Sequence, residues 1–126
     1  MKSLQNVWKE RLKIWAQAEK SDKIIKKLER QIKKLDTDLI FICTKVIKNA
    51  SFLQKELVSI QCSKLESKAA KLEIAKSVIE TAAYDLRIKA DQLWLKAVIR
   101  IKGENTNFSW DEDYKSCTVG DEKFVS

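Results

Sequence analysis

Between residues 3 and 102 the sequence contains neither proline nor glycine, the two residues that most often interrupt a helix. Within this stretch, seven apolar residues follow one another at alternating steps of three and four. This is the spacing of the a and d positions of a coiled coil, in which one face of a helix packs on another helix. The sequence therefore predicts long helices with a buried apolar line, called the seam below. The seam consists of Ile25, Leu28, Ile32, Leu35, Leu39, Ile42 and Val46.

A turn is predicted at residues 48–51. The apolar repeat changes phase there, and Ser51 with Gln54 has the spacing of a capping box, which marks the start of a helix. Ser63 begins a second capping-box match, which offers a competing break. Ser21 and Asp22 permit an earlier break or lie within one continuous helix. The sequence thus favours helices that run in opposite directions on either side of residues 48–51.

The predicted helices cover residues 3–20, 23–49 and 52–102. Ser3 is a suitable N-cap for the first helix, and Gly103 is expected to end the last one in a left-handed conformation. In the last helix we expect one apolar line in which the steps stay at three or four, except for one step of five. Its members are Leu53, Leu57, Ile60, Leu65, Ala69, Leu72, Ala75, Ile79, Ala82, Leu86, Ala90, Leu93 and Ala97.

The residues after Gly103 have a different character. Phe108, Trp110 and Phe124 alternate with polar residues and turn residues, as in short strands. Because an isolated hairpin is barely stable in water, we expect the rings of Phe108, Trp110, Tyr114 and Phe124 to pack on a helix. The predicted fold class is all-α, with long antiparallel helices in a coiled-coil-like bundle or helical hairpin and a small C-terminal β-meander. We expect two domains: a helical body at residues 1–102 and an acidic meander at 103–126 packed on it.

The sequence from Leu39 to Ile42 is apolar at every position. A helix that is apolar on all sides is usually buried on all sides. The densest core is therefore expected near residues 39–47, where at least two other elements would surround the helix.

The segment 52–102 is about twice as long as the segment 23–49 that would pack against it. A helix that extends beyond its partner leaves apolar surface uncovered, which favours self-association. The seam thus predicts a homodimer or a higher homo-oligomer. The alternative is that the seam forms the core of a hairpin within one chain.

The chain has 25 lysine and arginine residues against 18 acidic residues, which gives a net charge of +7. Five cations face away from the seam, so they form either a solvated outer face or a stripe that contacts phosphates. They are Lys26, Lys27, Arg30, Lys33 and Lys34, called the basic stripe below. The stripe contains no aromatic residue, so it offers no platform on which a nucleic-acid base would stack.

The sequence gives no support for an enzyme. It has no histidine, and its three cysteines, Cys43, Cys62 and Cys117, form no metal or redox motif. We expect Cys43 and Cys62 to be small buried apolar residues, and Cys117 to be the only candidate for a reactive thiol. The acidic residues 111–113 lack the spacing of a calcium-binding loop. No catalytic, cofactor-binding or metal-binding residue is predicted.

The start of the chain has charges throughout and lacks the apolar core of a signal peptide, so a cytoplasmic protein without a transmembrane segment is expected. Aromatic and acidic residues are the best candidates for contact with a protein partner. They are Trp8 and Trp15 near the start of the chain, and Trp110, Asp111, Asp113 and Tyr114 in the acidic tail. The two tryptophans near the start of the chain are, however, more typical of a core face, and contact with a membrane surface is a further alternative for them.

We therefore expect a non-enzymatic helical interaction protein that self-associates and binds another macromolecule, as an inhibitor, adaptor or assembly factor. Its composition would suit an accessory protein of a phage or mobile element. The alternative is a nucleic-acid-binding accessory protein that uses the basic stripe with little sequence preference.

Overall fold

A computed structural model describes residues 3–126, apart from the side chain of Val46. The chain is mostly helical, with two long helices that pack against each other and a small antiparallel sheet. This confirms the predicted fold class. The elements are α1 (Leu4–Phe41), a π-helical stretch (Ile42–Val46), a 3₁₀ turn (Ile47–Asn49), α2 (Phe52–Lys102), β1 (Phe108–Trp110), β2 (Cys117–Val119) and β3 (Glu122–Phe124).

The predicted helix starts are present. The backbone N–H of Asn6 donates to Ser3 Oγ at 3.3 Å, so Ser3 caps α1. Ser51 and Gln54 form the complete capping box, in which each backbone N–H donates to the side chain of the other residue, at 3.1 and 3.3 Å. Ser21 and Ser63 lie inside continuous helices. The buried face of α1 continues without a shift on either side of Ser21, so the helix needs no break there.

The chain forms two compact units. Residues 3–20 and 82–126 form the first, called the sheet unit, which holds the three strands. Residues 21–81 form the second, called the hairpin unit, which contains the turn at residues 48–51. The strands share a core with the helix segments of the sheet unit, so residues 103–126 are not a compact unit by themselves.

In the hairpin unit, the seam packs on α2 of the same chain. Ile32 and Leu35 are buried, and the other described seam residues are half-buried, except that the side chain of Val46 lies outside the described residues. On α2, Val58 and Cys62 are buried nearer the turn, while Leu65 and Leu72 line a groove beside Leu35. The seam is therefore packed within one chain, as in the alternative prediction of a helical hairpin.

The inner face of α2 differs from the predicted line most at its start, and farther along Ala75, Ala82 and Leu93 are exposed as well. Leu53, Leu57 and Ile60 were expected to share a face with Leu65, but they are exposed, and Val58 takes the inner position instead. The step of five between Ile60 and Leu65 is the point where the predicted line crosses from one face of the helix to another. After it, the inner line continues through half-buried Leu65, Ala69, Leu72 and Ile79.

The expected dense core near residues 39–47 is wrong. Ile40 is 65% exposed and Phe41 is 58% exposed. In a two-helix hairpin each helix has a neighbour on one side only, so a helix that is apolar all round keeps apolar side chains in contact with solvent. Cys43 is also exposed, contrary to expectation, whereas Cys62 is buried as expected.

The densest packing lies in the sheet unit. The rings of Trp8 and Trp94 meet edge to face with centroids 4.9 Å apart, and Phe124 lies 4.9 Å from Trp94. The strands form the predicted meander in the order β1-β2-β3, with Phe108 opposite Val119 and Cys117 opposite Phe124. The meander begins after Gly103, whose φ of +96° ends α2 as predicted.

Candidate interaction surfaces

The most elaborate polar arrangement in the sheet unit surrounds Arg11 of α1. Its side chain is 0% exposed, and its guanidinium carbon lies 4.5 to 4.7 Å from the ring centroids of Trp8, Trp15 and Trp110. A guanidinium stacked on aromatic rings gains cation–π energy and needs little hydration. The cluster therefore ties α1 to the end of β1 through one side chain.

Two oxygen acceptors also bind the guanidinium of Arg11, whose Nη1 is buried without a hydrogen-bond partner among the described residues. Its Nε donates to Asp91 Oδ1 on α2 at 2.8 Å, and one terminal nitrogen donates to the carbonyl oxygen of Tyr114 at 2.6 Å. The indole N–H of Trp15 donates to the same carboxylate oxygen at 3.1 Å. Because the guanidinium, the rings and the carboxylate hold one another in place, this cluster joins α1, α2 and the segment after β1. These contacts indicate that the cluster has a structural role in the sheet unit.

Asp111 organises the turn that follows β1. Its carboxylate accepts hydrogen bonds from the backbone N–H groups of Asp113 and Lys115 and from the hydroxyl of Ser116. The hydroxyl of Ser116, more than any other group, lowers the pKa of Asp111, and the backbone bonds add to this effect. Asp111 therefore holds the turn in which Tyr114 adopts a φ of +58°.

These contacts place the residues that the sequence suggested for partner binding. Trp8 is completely buried, so it belongs to the core and offers no exposed face. Trp15 and Trp110 are half-buried against Arg11. Asp111, Asp113 and Tyr114 are exposed, although the carboxylate of Asp111 is engaged in its own turn; Tyr114 is 51% exposed. Trp8 and Trp15 were predicted as contact residues because amphipathic spacing alone does not distinguish a helix face that enters a core from one that binds a partner.

All five members of the basic stripe are exposed on the side of α1 that points away from the seam. Arg30 Nε donates to the carbonyl oxygen of Lys26, four residues earlier, at 3.4 Å. Glu29, which lies between them in the sequence, pairs instead with Lys76 of α2 at 3.4 Å. Because Glu29 pairs with Lys76 of α2, it is not paired with a cation of the basic stripe, and the stripe keeps its net positive charge.

Lys76 replaces an apolar residue on the inner line of α2. Burial alone would lower its pKa, but the hydrogen bond and the charge of Glu29, together with Glu80 and Glu73, outweigh this effect and raise it. The ion pairs of Lys76 with Glu29 and Glu80 thus lie on the seam side of the hairpin.

Five of the six large apolar residues that the hairpin-unit part of α2 exposes lie on the side away from its inner line. Eight positions follow one another there at alternating steps of four and three, and five of them are apolar residues whose exposure lies between 57% and 75%. The other three, in the middle, are exposed polar residues. We call this line the outer stripe of α2. It consists of Leu53, Leu57, Ile60, Lys64, Ser67, Lys71, Ile74 and Val78.

Side chains of a helix at this spacing share one face, so the outer stripe is a second coiled-coil-like line on the same helix. A shallow cavity of 310 Å³, lined by residues that include Asn49, Gln54 and Leu57, lies at its turn end. The outer stripe was not predicted from the sequence, because Leu53, Leu57 and Ile60 were assigned to the inner line of α2. A separate search for a second repeat at steps of four and three would have found it.

The thiol of Cys117 is buried in the sheet unit, where burial raises its pKa to about 11. A thiol in that state is protonated and unreactive at neutral pH, so its surroundings do not suit a nucleophile. Burial also raises the pKa of Cys62, and the adjacent thiol of Cys43 adds to this shift.

Two searches of residues 3–126 describe what those residues lack. None of their helices is long and apolar enough to cross a membrane. They also contain no cluster of three or more histidine, cysteine or acidic side chains that is arranged to hold a metal ion.

The chain matches no protein-family model, no curated protein sequence and no solved structure. Among the surfaces described above, the outer stripe of α2 carries the largest number of exposed large apolar residues in the hairpin unit.

Proposed function

We propose that the chain is a non-enzymatic helical interaction protein, which binds another macromolecule through the outer stripe of α2 as an inhibitor, adaptor or assembly factor. The observation that carries this proposal is the exposure of the five apolar stripe residues on one face of a continuous helix. Leu53, Leu57 and Ile60 form one exposed apolar patch near the turn, and Ile74 and Val78 form a second one beyond the polar middle. Exposed apolar patches with polar surroundings are typical of sites that contact a partner.

The two faces of α2 support a division of roles. The inner face packs on the seam and holds the hairpin together, whereas the outer face has no neighbour within the hairpin unit. A helix laid along an apolar face is a common mode of protein recognition. Because α2 occupies the seam, the predicted self-association would need another surface, and the outer stripe offers one.

Site-specific photocrosslinking tests this proposal. A benzoylphenylalanine at Leu57, in the outer stripe, should crosslink a partner in an extract of the source cells. Excess unlabelled chain should compete for this product, whereas excess of a Leu57→Asp/Ile60→Asp variant should not. The same probe at Ser59, which is exposed on another side of α2, serves as the matched control. Equal labelling from both positions, or competition by the variant, would contradict the proposal.

A second candidate function is nonspecific binding of nucleic acid, which is supported by the exposure of all five cations of the basic stripe. Each phosphate that a cation neutralises steepens the dependence of affinity on salt. We would measure fluorescence anisotropy of labelled DNA and RNA at about 50 and 200 mM salt, where several phosphate contacts should change the affinity by orders of magnitude. Binding that survives reversal of all five charges would exclude the stripe as its site.

A further inference from the structure

The outer stripe of α2 has a charge pattern along its length. Its two apolar ends, Leu53 to Ile60 and Ile74 to Val78, are separated by exposed Lys64 and Lys71. At a rise of 1.5 Å per residue, the whole stripe is about 38 Å long. The acidic partners of Lys76 lie on the seam side of the hairpin, so the two stripe lysines keep their positive charge on the outer face.

We propose that the occupant of the outer stripe is a helix of a different protein, with apolar residues at both ends and acidic residues at the two central positions that face Lys64 and Lys71. This inference rests on the proposed function and names the chemistry of the partner. A lysine at a coiled-coil core position weakens apolar contact but pairs with a carboxylate on the opposing helix, which fixes both register and partner.

The same lysines argue against a second copy of this chain as the occupant. A parallel pair in register would bring each lysine against its equivalent, and like charges at such positions repel. An antiparallel pair that aligns the apolar ends would set Lys64 of one copy against Ser67 of the other and Lys71 against Ile60. Neither orientation gives the two lysines a carboxylate partner. A different helix with carboxylates at these positions gains an attraction that a second copy lacks.

Synthetic helices of 26 residues test the charge pattern. The first, the central-Glu probe, carries leucine at the positions opposite the apolar residues and glutamate opposite Lys64 and Lys71. The second carries lysine in place of these glutamates. The third keeps leucine at the apolar positions and alanine at the two central ones, but has its two glutamates on the face away from the stripe, which separates local pairing from attraction to a chain of net charge +7.

Fluorescence anisotropy of the labelled probes, at about 150 mM salt, is the measurement. The wild-type chain should bind the central-Glu probe at least tenfold more tightly than either of the others. The Lys64→Glu/Lys71→Glu variant should reverse the preference in favour of the lysine probe. The Lys45→Glu/Lys48→Glu variant changes the net charge by the same amount at exposed turn positions and should keep the wild-type preference.

Three results would overturn the inference. The first is binding of all three probes with affinities that agree within twofold, or of none at 200 µM. The second is loss of the preference in the Lys45→Glu/Lys48→Glu variant. The third is a purified chain that sediments as a dimer and becomes a monomer on Ile60→Asp, which would assign the stripe to a second copy. If crosslinking from position 57 succeeds while the probes fail, the proposed function stands and this inference alone is wrong.

Discussion

Replacement of Arg11 by methionine should destabilise the sheet unit strongly. The substitution keeps much of the apolar volume, but it removes the hydrogen bonds to Asp91 at 2.8 Å and to the carbonyl oxygen of Tyr114 at 2.6 Å. It also removes the cationic group that lies against three indole rings.

The expected magnitude follows from these contacts. Loss of one partner of a buried ion pair costs about 3 to 5 kcal/mol, because the other charge is left uncompensated. The side chain of Asp91 is 29% exposed, so water replaces part of the lost interaction and the lower end of this range applies. Methionine packs well against aromatic rings, which limits the further loss from the tryptophans. We expect the free energy of unfolding to fall by about 3 kcal/mol.

Urea unfolding followed by tryptophan fluorescence measures this loss. All four tryptophans lie in the sheet unit, and three of them surround Arg11, so the signal reports the affected region. Arg30→Met is the matched control, because Arg30 is exposed in the basic stripe, and it should change stability by no more than about 0.5 kcal/mol.

A double-mutant cycle separates the ion pair from the rest of the cluster. In a chain that already carries Asp91→Leu, Arg11→Met should cost less than in the wild-type chain, with a coupling energy of about 1 to 3 kcal/mol. A loss below about 1 kcal/mol for Arg11→Met alone, or a coupling energy near zero, would refute the view that Arg11 holds the sheet unit together.

Three further predictions concern other parts of the chain. Cys43 should react first with iodoacetamide at pH 8, ahead of the buried thiols Cys62 and Cys117, as peptide mass mapping would record. The raised pKa of Cys117 means that the unfolded chain loses this proton before the folded one. Stability should therefore fall as the pH rises from about 9 to about 11, and Cys117→Ala should reduce this fall in urea titrations without abolishing it, because the raised pKa of Cys62 acts in the same direction. Gly103→Ala, which places a Cβ at a φ of +96°, and Ser51→Ala, which removes a helix cap, should each lower the free energy of unfolding by about 1 kcal/mol. Denaturation followed by circular dichroism measures this loss, and unchanged stability would contradict the assigned roles.

Local sequence signals predicted most of the fold because they report local physics. Ser3, Ser51 and Gly103 mark helix ends through hydrogen bonds and dihedral angles that involve only their neighbours. The alternation around Phe108 and Phe124 predicted the strands for the same reason. These signals do not depend on which distant element packs where.

The errors arose where a pattern had two readings that only packing separates. Trp8 and Ile40 both lie on apolar helix surfaces, yet Trp8 is fully buried and Ile40 is mostly exposed. The burial of Trp8 depends on Trp94 and Phe124, which are distant in sequence. Arg11 was not singled out, because a lone arginine on an amphipathic helix gives no sign that three rings and a carboxylate will enclose it.

The central claim is that α2 has two apolar faces, of which the inner one holds the hairpin and the outer one is free for a partner. The unfolding free energies of Leu35→Asp and Ile60→Asp in the purified chain test it most directly. Leu35 is buried in the seam, so we expect Leu35→Asp to cost about 3 kcal/mol or more, whereas Ile60→Asp should stay within about 0.5 kcal/mol of the wild type. Equal losses for the two variants would show that the outer face is already buried and would contradict the account.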